Sequence, residues 1–163
     1  MVERNSGIWR ASLAAYAPLI LWIGVIFVLS SEAASMSKTS LIIGPILHFL
    51  FPTASEETIQ LYHGYIRKAA HFTEYAMLAF FAVRMLARSS QNTVLRWRYL
   101  LAIVLVAAIA SLDEFHQSFE PSRTSSYLDV LLDIFGGSVM VTCLRLARWP
   151  RAAFTGGPRE ASD

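Results

Sequence analysis

The sequence predicts an all-α integral membrane bundle of about four transmembrane helices with a short interfacial segment. Composition is the first reason: 55% of the 163 residues are hydrophobic and only 16% are charged, whereas a soluble domain carries about 25% charged residues. Mean hydropathy is correspondingly positive, at +0.44. The second reason is that the apolar residues fall in runs near the length of about 20 residues that an α-helix needs to cross hydrocarbon. This length leaves room for about four spans with short loops, and so for one domain. The net charge of +2 is too small to suggest a nucleic-acid partner. Cys143 is the only cysteine. That excludes an intramolecular disulfide, a CxxC redox pair and a cysteine zinc site, and its apolar run suits a small packed hydrophobe.

Residues 1–10 are polar and basic and read as a cytoplasmic N-terminus. The first span is 11–30. Arg4 and Arg10 ahead of an apolar run also describe a signal peptide, but this run is longer than a usual signal core, so it reads as an uncleaved anchor. Pro18 and Gly24 are tolerable inside a spanning helix. Residues 31–40 form a Ser-rich loop. Residues 41–51 are apolar but interrupted at Gly44–Pro45 and too short to span, so they read as interfacial or re-entrant. Ser55 followed by Glu56 and Glu57 is a helix start, an N-cap with an acidic first turn, opening a short amphipathic helix to Ile66. The second span is 69–88. The third, 97–116, is uniformly apolar only from Tyr99 to Leu112, and Pro121 stops it. Ser122, Ser125 and Ser126 are turn formers and an N-cap rather than nucleophiles. The fourth span is 127–147, and residues 148–163 form a basic, then Gly/Pro-containing cytoplasmic tail.

Lys and Arg placement sets the expected orientation. Arg4 and Arg10, then Arg84, Arg88, Arg96 and Arg98, then Arg145, Arg148 and Arg151 mark three basic flanks. Four spans with both termini in the cytoplasm put all three inside. Trp9, Trp97 and Trp149 then fall at the same interface, as belt aromatics should.

The same topology sends two polar knots to the opposite face. The first is Arg67–Tyr75 and the second runs from Asp113 to Asp133. At 100° per residue, Arg67, His71 and Glu74 share one helical stripe, with Lys68 at its edge. Asp113 and Gln117 are four apart, with Glu120 continuing the line, and so are Asp129 and Asp133. Gly136 and Gly137 follow one turn later and allow a second helix to approach closely. Ionisable groups at this depth must face the bundle interior or a wet cavity. Either Arg67, Lys68 and Arg123 neutralise some of Glu74, Asp113, Glu114, Glu120, Asp129 and Asp133 in a structural ion-pair network, or the surplus carboxylates beside His71 do acid–base work. His116 points away from the Asp113–Gln117 stripe, and His48 and His63 read as ordinary interfacial residues. No cofactor is called for. A His/Glu/Asp set of this kind suits a divalent metal, but no ligand motif of known spacing is present. A nucleophile elbow, a P-loop and a dinucleotide fingerprint are absent too.

The stretches RKAAHFTEYAMLAF, 67–80, and DEFHQSFEPSRTSSYLDVLLDIFGG, 113–137, together resemble the VanZ-like family of small bacterial membrane proteins. The resemblance implies a polytopic helical protein of the cytoplasmic membrane, from a family named for a glycopeptide-resistance cluster, with no established reaction. The positions it carries over are Lys68, His71, Glu74, Tyr75, Asp113, Glu114, Gln117, Arg123, Asp129 and Gly137. Asp133 departs from the pattern, which usually has Asn there.

The sequence reading is therefore a membrane protein with an outward-facing polar site. Candidate catalytic residues are His71, Glu74, Asp113 and Glu114. Candidate ligand-binding residues are Arg67, Lys68, Gln117, Arg123, Asp129 and Asp133. The expected partners are the bilayer and a cell-envelope component, either a lipid-linked precursor or an anionic headgroup. The alternative is a non-enzymatic membrane module whose polar cluster locks the helices and presents a partner surface. Transport fits less well, since the carboxylates cluster at one end rather than along a path.

Overall fold

In the computed structural model, residues 2–31, 36–119 and 126–147 are described, with side chains for 13–31, 39–119 and 126–147. Arg123, Glu120, Pro121 and the tail from 148 lie outside the described residues. Five helices and no strand are present among the described residues: α1 (Val2–Ser30), α2 (Met36–Leu50), α3 (Glu56–Leu86), α4 (Asn92–Gln117) and α5 (Tyr127–Leu146).

Three of these are long and apolar enough to cross a membrane: Leu13–Ser30 of α1, all of α4 and all of α5. Their outward faces stay apolar, with Leu13, Ile20, Leu21 and Val28 of α1 and Leu131 and Phe135 of α5 exposed. A soluble monomer rarely leaves so much apolar surface uncovered, whereas lipid covers it without cost.

α3 has the length to span but is more polar, because Arg67, Lys68, His71, Glu74 and Arg84 lie along it. Its position accounts for this. All four other helices pack on α3, most extensively α5, so Arg67, His71, Glu74 and Arg84 are partly covered by protein while Lys68 stays exposed. Tyr75, Leu78, Ala79, Ala82 and Val83 form its buried face, meeting Ala102, Val106 and Ala110 of α4 and Val141 and Leu144 of α5.

Several element boundaries differ from the sequence reading: α1 opens at Val2, ahead of the expected span, α2 at Met36, inside the expected Ser-rich loop, and α4 at Asn92 rather than 97. The short amphipathic helix and the second span are one helix, because nothing between 56 and 86 breaks it: there is no proline, and Gly64 costs only about 1 kcal/mol against alanine. α2 also runs straight through Gly44–Pro45. Proline's fixed φ is helical, so the penalty is one lost backbone bond and a ring clash, which a short helix on the protein's edge accommodates. The expected caps form. Ser55 accepts from Thr58 N at 3.3 Å, and Ser126 accepts from Leu128 N at 3.2 Å.

Gly136 closes the α3–α5 contact and Gly137 the α4–α5 contact. A Cβ on Gly136 would overlap the backbone carbonyl of Phe72, and one on Gly137 would sit 2.8 Å from Val106 Cγ1. Only hydrogen in place of a side chain permits this approach.

Candidate functional site

The polar residues gather at one end of the bundle, where the last residue of α1, the last turns of α4 and the first turns of α5 surround the middle of α3. Asp113 is their centre and is 1% exposed. Its Oδ2 accepts from Ser30 Oγ at 2.7 Å, Gln117 Nε2 at 2.9 Å and Tyr75 Oη at 3.1 Å. Gln117 Nε2 also donates to Ser30 Oγ at 3.3 Å. The i, i+4 spacing places Asp113 and Gln117 on one face of α4, and the wholly buried Tyr75 reaches them from α3. The cluster thus ties α1, α3 and α4 together. Among the described residues the partners of Asp113 are neutral hydroxyl and amide donors, not the cations of the expected ion-pair network. Asp113 Oδ1 has no hydrogen-bond partner there.

His71 and Asp133 form a second pair, across α3 and α5. Nδ1 and Oδ1 are 3.5 Å apart, with Asp133 almost fully buried and His71 mostly so. The contact lacks hydrogen-bond geometry, and both atoms are without a hydrogen-bond partner among the described residues. The close approach at Gly136 explains the juxtaposition: it fixes α5 against Phe72, and Asp133 lies about one turn before Gly136, next to His71. The His71 ring also lies nearly parallel to that of Tyr75, at 16° and 6.5 Å between centroids. Tyr75 therefore touches both the Asp113 cluster and the His71–Asp133 pair.

The other expected residues stand around this centre. Glu114 is half-buried, and its Oε1 accepts from the backbone N–H of Ser126, so it fastens α4 to the start of α5. Asp129, Arg67 and Glu74 are half-buried and Lys68 is exposed. The backbone carbonyl of Glu74 accepts from Trp22 Nε1 at 2.8 Å, pinning α1 to α3. His116 is exposed, edge-on to Phe27, and so stays apart from the cluster. Among the described residues no three His, Cys, Asp or Glu side chains converge as a metal site.

Two contributors escaped the spacing argument. Ser30 is 1% exposed and looks like an ordinary span end; its only signal is that the topology brings it to the same face as both knots. Tyr75 came from the family resemblance alone. His63, read as an ordinary interfacial residue, has a protein partner. It is buried beneath α2, with Nε2 3.1 Å from Thr39 Oγ1. Burial, together with the charge of Arg67, pushes its imidazole below the usual histidine range. His48 Nε2 lies 3.3 Å from Glu56 Oε1 at the other end of the α2–α3 contact.

Neither the curated proteins nor the solved structures give a significant match to this chain. The family model for VanZ/LLP1 does match, over residues 15–148. That range takes in both polar knots and nearly all of the helical bundle, and with three helices apolar enough to span it makes this membrane protein a member of the VanZ/LLP1 family.

Proposed function

We propose that the polar end of the bundle faces out of the cytoplasm and binds, or acts on, a cell-envelope component with an anionic group, such as a lipid-linked precursor. One observation carries this reading: His71 Nδ1 and Asp133 Oδ1, 3.5 Å apart, and Asp113 Oδ1 are buried at one end of the bundle with no hydrogen-bond partner among the described residues. Buried polar atoms are nearly always satisfied, and exceptions cluster where a protein does chemistry or binds. Arg67 and Lys68 lie one helical turn from His71 and, with Arg123, supply cations for a phosphate or carboxylate. His71 and Glu74 are the acid–base pair if a reaction follows binding, with Asp133 orienting the imidazole. The basic flank at the opposite end, Arg84, Arg88, Arg96, Arg98 and Arg145, supports the orientation.

The test is binding of a polyprenyl phosphate to the purified protein in detergent, with the neutral polyprenol as control. The expected result is binding of the phosphate alone, weakened about tenfold or more in His71→Ala and Lys68→Ala, since each removes a hydrogen-bond donor to the anion. Equal binding of polyprenol, or unchanged binding in both variants, would sink the proposal.

The full burial of Asp113 favours a second reading, in which the cluster is a structural lock. On that reading His71→Ala and Glu74→Gln lower the amount of inserted protein. On the first they leave it unchanged and remove only binding.

A further inference from the structure

The opposite end of the bundle holds a feature that the polar site does not use. A cavity of about 590 Å³ is lined by Arg96, Trp97, Arg98 and Tyr99 of α4 and by Arg145 of α5. Arg98 is held in place: it donates to Leu95 O at 2.7 Å and to Tyr99 Oη at 3.2 Å, and its guanidinium lies 4.5 Å from the Tyr99 ring centroid. Two of its N–H groups are used in this way, out of the five a guanidinium offers. Arg96 sits 5.9 Å from the Trp97 ring centroid and is exposed, as is Arg145. Among the described residues no carboxylate lines the cavity, so three cations line it there without an anion beside them.

Directly beside it runs a second, apolar groove of about 380 Å³, lined by Thr93, Val94, Trp97, Leu100 and Leu101. The two share Trp97 and Leu100. The groove residues recur at helical spacing along one face of α4, within a segment apolar enough to span the membrane. A basic cleft that continues into an apolar groove fits an amphiphile: an anionic head and a hydrocarbon tail. Arg96 and Asp113 are 17 positions apart on α4, or about 25 Å along the helix, so this feature sits near the other membrane surface.

We infer that this end of the bundle binds an anionic phospholipid, its phosphate against Arg96, Arg98 and Arg145 and an acyl chain in the groove beside Trp97. Guanidinium groups pair with phosphate in a planar, two-pronged geometry, and Trp97 sits where the head and tail regions meet, as interfacial tryptophans do. The site is independent of the proposed envelope ligand, since the two lie at opposite ends and share no residue.

The experiment is thermal unfolding of the purified full chain in a neutral detergent, with phosphatidylglycerol, phosphatidylcholine or glycerol phosphate added. Phosphatidylglycerol is expected to raise Tm by about 5 °C or more at a hundredfold excess over its Kd, and the other two to leave it unchanged. Arg96→Gln combined with Arg145→Gln should abolish the shift, while Lys68→Ala should retain it. Trp97→Ala should reduce it, because the groove then loses its wall. An equal shift from phosphatidylcholine would overturn the inference by showing an unselective lipid effect. A shift from glycerol phosphate alone would overturn it by showing an anion site with no use for the chain, and a full shift in the double variant would do so by removing the arginines from the site.

Discussion

Replacing Gly136 by alanine should separate the two helices that build the polar end. The added methyl would overlap Phe72 O, a backbone atom in the middle of a long helix, which unlike a side chain cannot rotate away. Restoring normal contact requires α5 to move from α3 by about 1 Å, since non-bonded heavy atoms settle near 3.5 Å. Overpacking of this kind costs about 1–3 kcal/mol. For a chain of this size the corresponding fall in Tm is about 2–10 °C. The control is Gly64→Ala in α3, where nothing lies within 4 Å of the added Cβ. That change should stabilise by about 0.5–1 kcal/mol through helix propensity alone. The two alanine variants should thus move Tm in opposite directions when unfolded side by side in detergent. The displacement should also widen the 3.5 Å gap between His71 and Asp133, so binding at the polar end should weaken even where the protein remains folded. If Gly136→Ala matched Gly64→Ala in stability, the close α3–α5 contact would be wrong, and with it the juxtaposition of His71 and Asp133.

Three further outcomes follow from the same contacts. Asp113→Ala leaves Ser30, Tyr75 and Gln117 without their common acceptor and should cost several kcal/mol, about 1–3 for each buried group left unpaired; Tyr75→Phe removes a single donor and should cost only about 1 kcal/mol, and thermal unfolding of both variants checks the order. Docking of α2 on α3 should weaken on acidification. An undocked His63 titrates near 6.5, and the docked one lower, so between those two values only the undocked form binds the proton. Docking therefore strengthens as pH rises through that window and is fully present above 6.5. Amide hydrogen exchange in α2 should be faster at pH 5 than at pH 7.5 after correction for intrinsic rates, and His63→Gln should flatten the difference. Ser126→Ala removes the α5 cap and should cost about 1 kcal/mol, with faster exchange confined to the first turn of α5.

The helices were legible because bilayer-spanning runs announce themselves by length and composition, and Ser55 and Ser126 by their capping chemistry. The glycine approach was legible too, since Gly136 and Gly137 follow the Asp129–Asp133 face by one turn. What periodicity could not give was which partners each polar group takes. Formal charge offered Arg67, Lys68 and Arg123 for some of six carboxylates, Asp113 among them, but a fully buried carboxylate is held at lower cost by Ser30, Tyr75 and Gln117, which bring no second charge to desolvate. The continuity of α3 was missed because its apolar pattern changes near residue 67 while its backbone does not. A helix carries on through a change of environment unless a breaker stops it, and Gly64 is not enough.

That continuity gives the molecule a ruler. Thirty-one residues of α3 span about 46 Å, against about 30 Å of hydrocarbon. In the proposed orientation, with the Arg84 end at one surface, the opening turns from Glu56 stand clear of the oily layer on the other side. α2 is clamped to those turns through Leu47, Ile59 and His63, with Leu41, Ile42 and Phe49 left uncovered. It is therefore held at a fixed height, an apolar shelf level with the headgroups and a few ångströms above Arg67 and Lys68. On the proposed function, a lipid reaching the polar end meets this shelf before it meets His71.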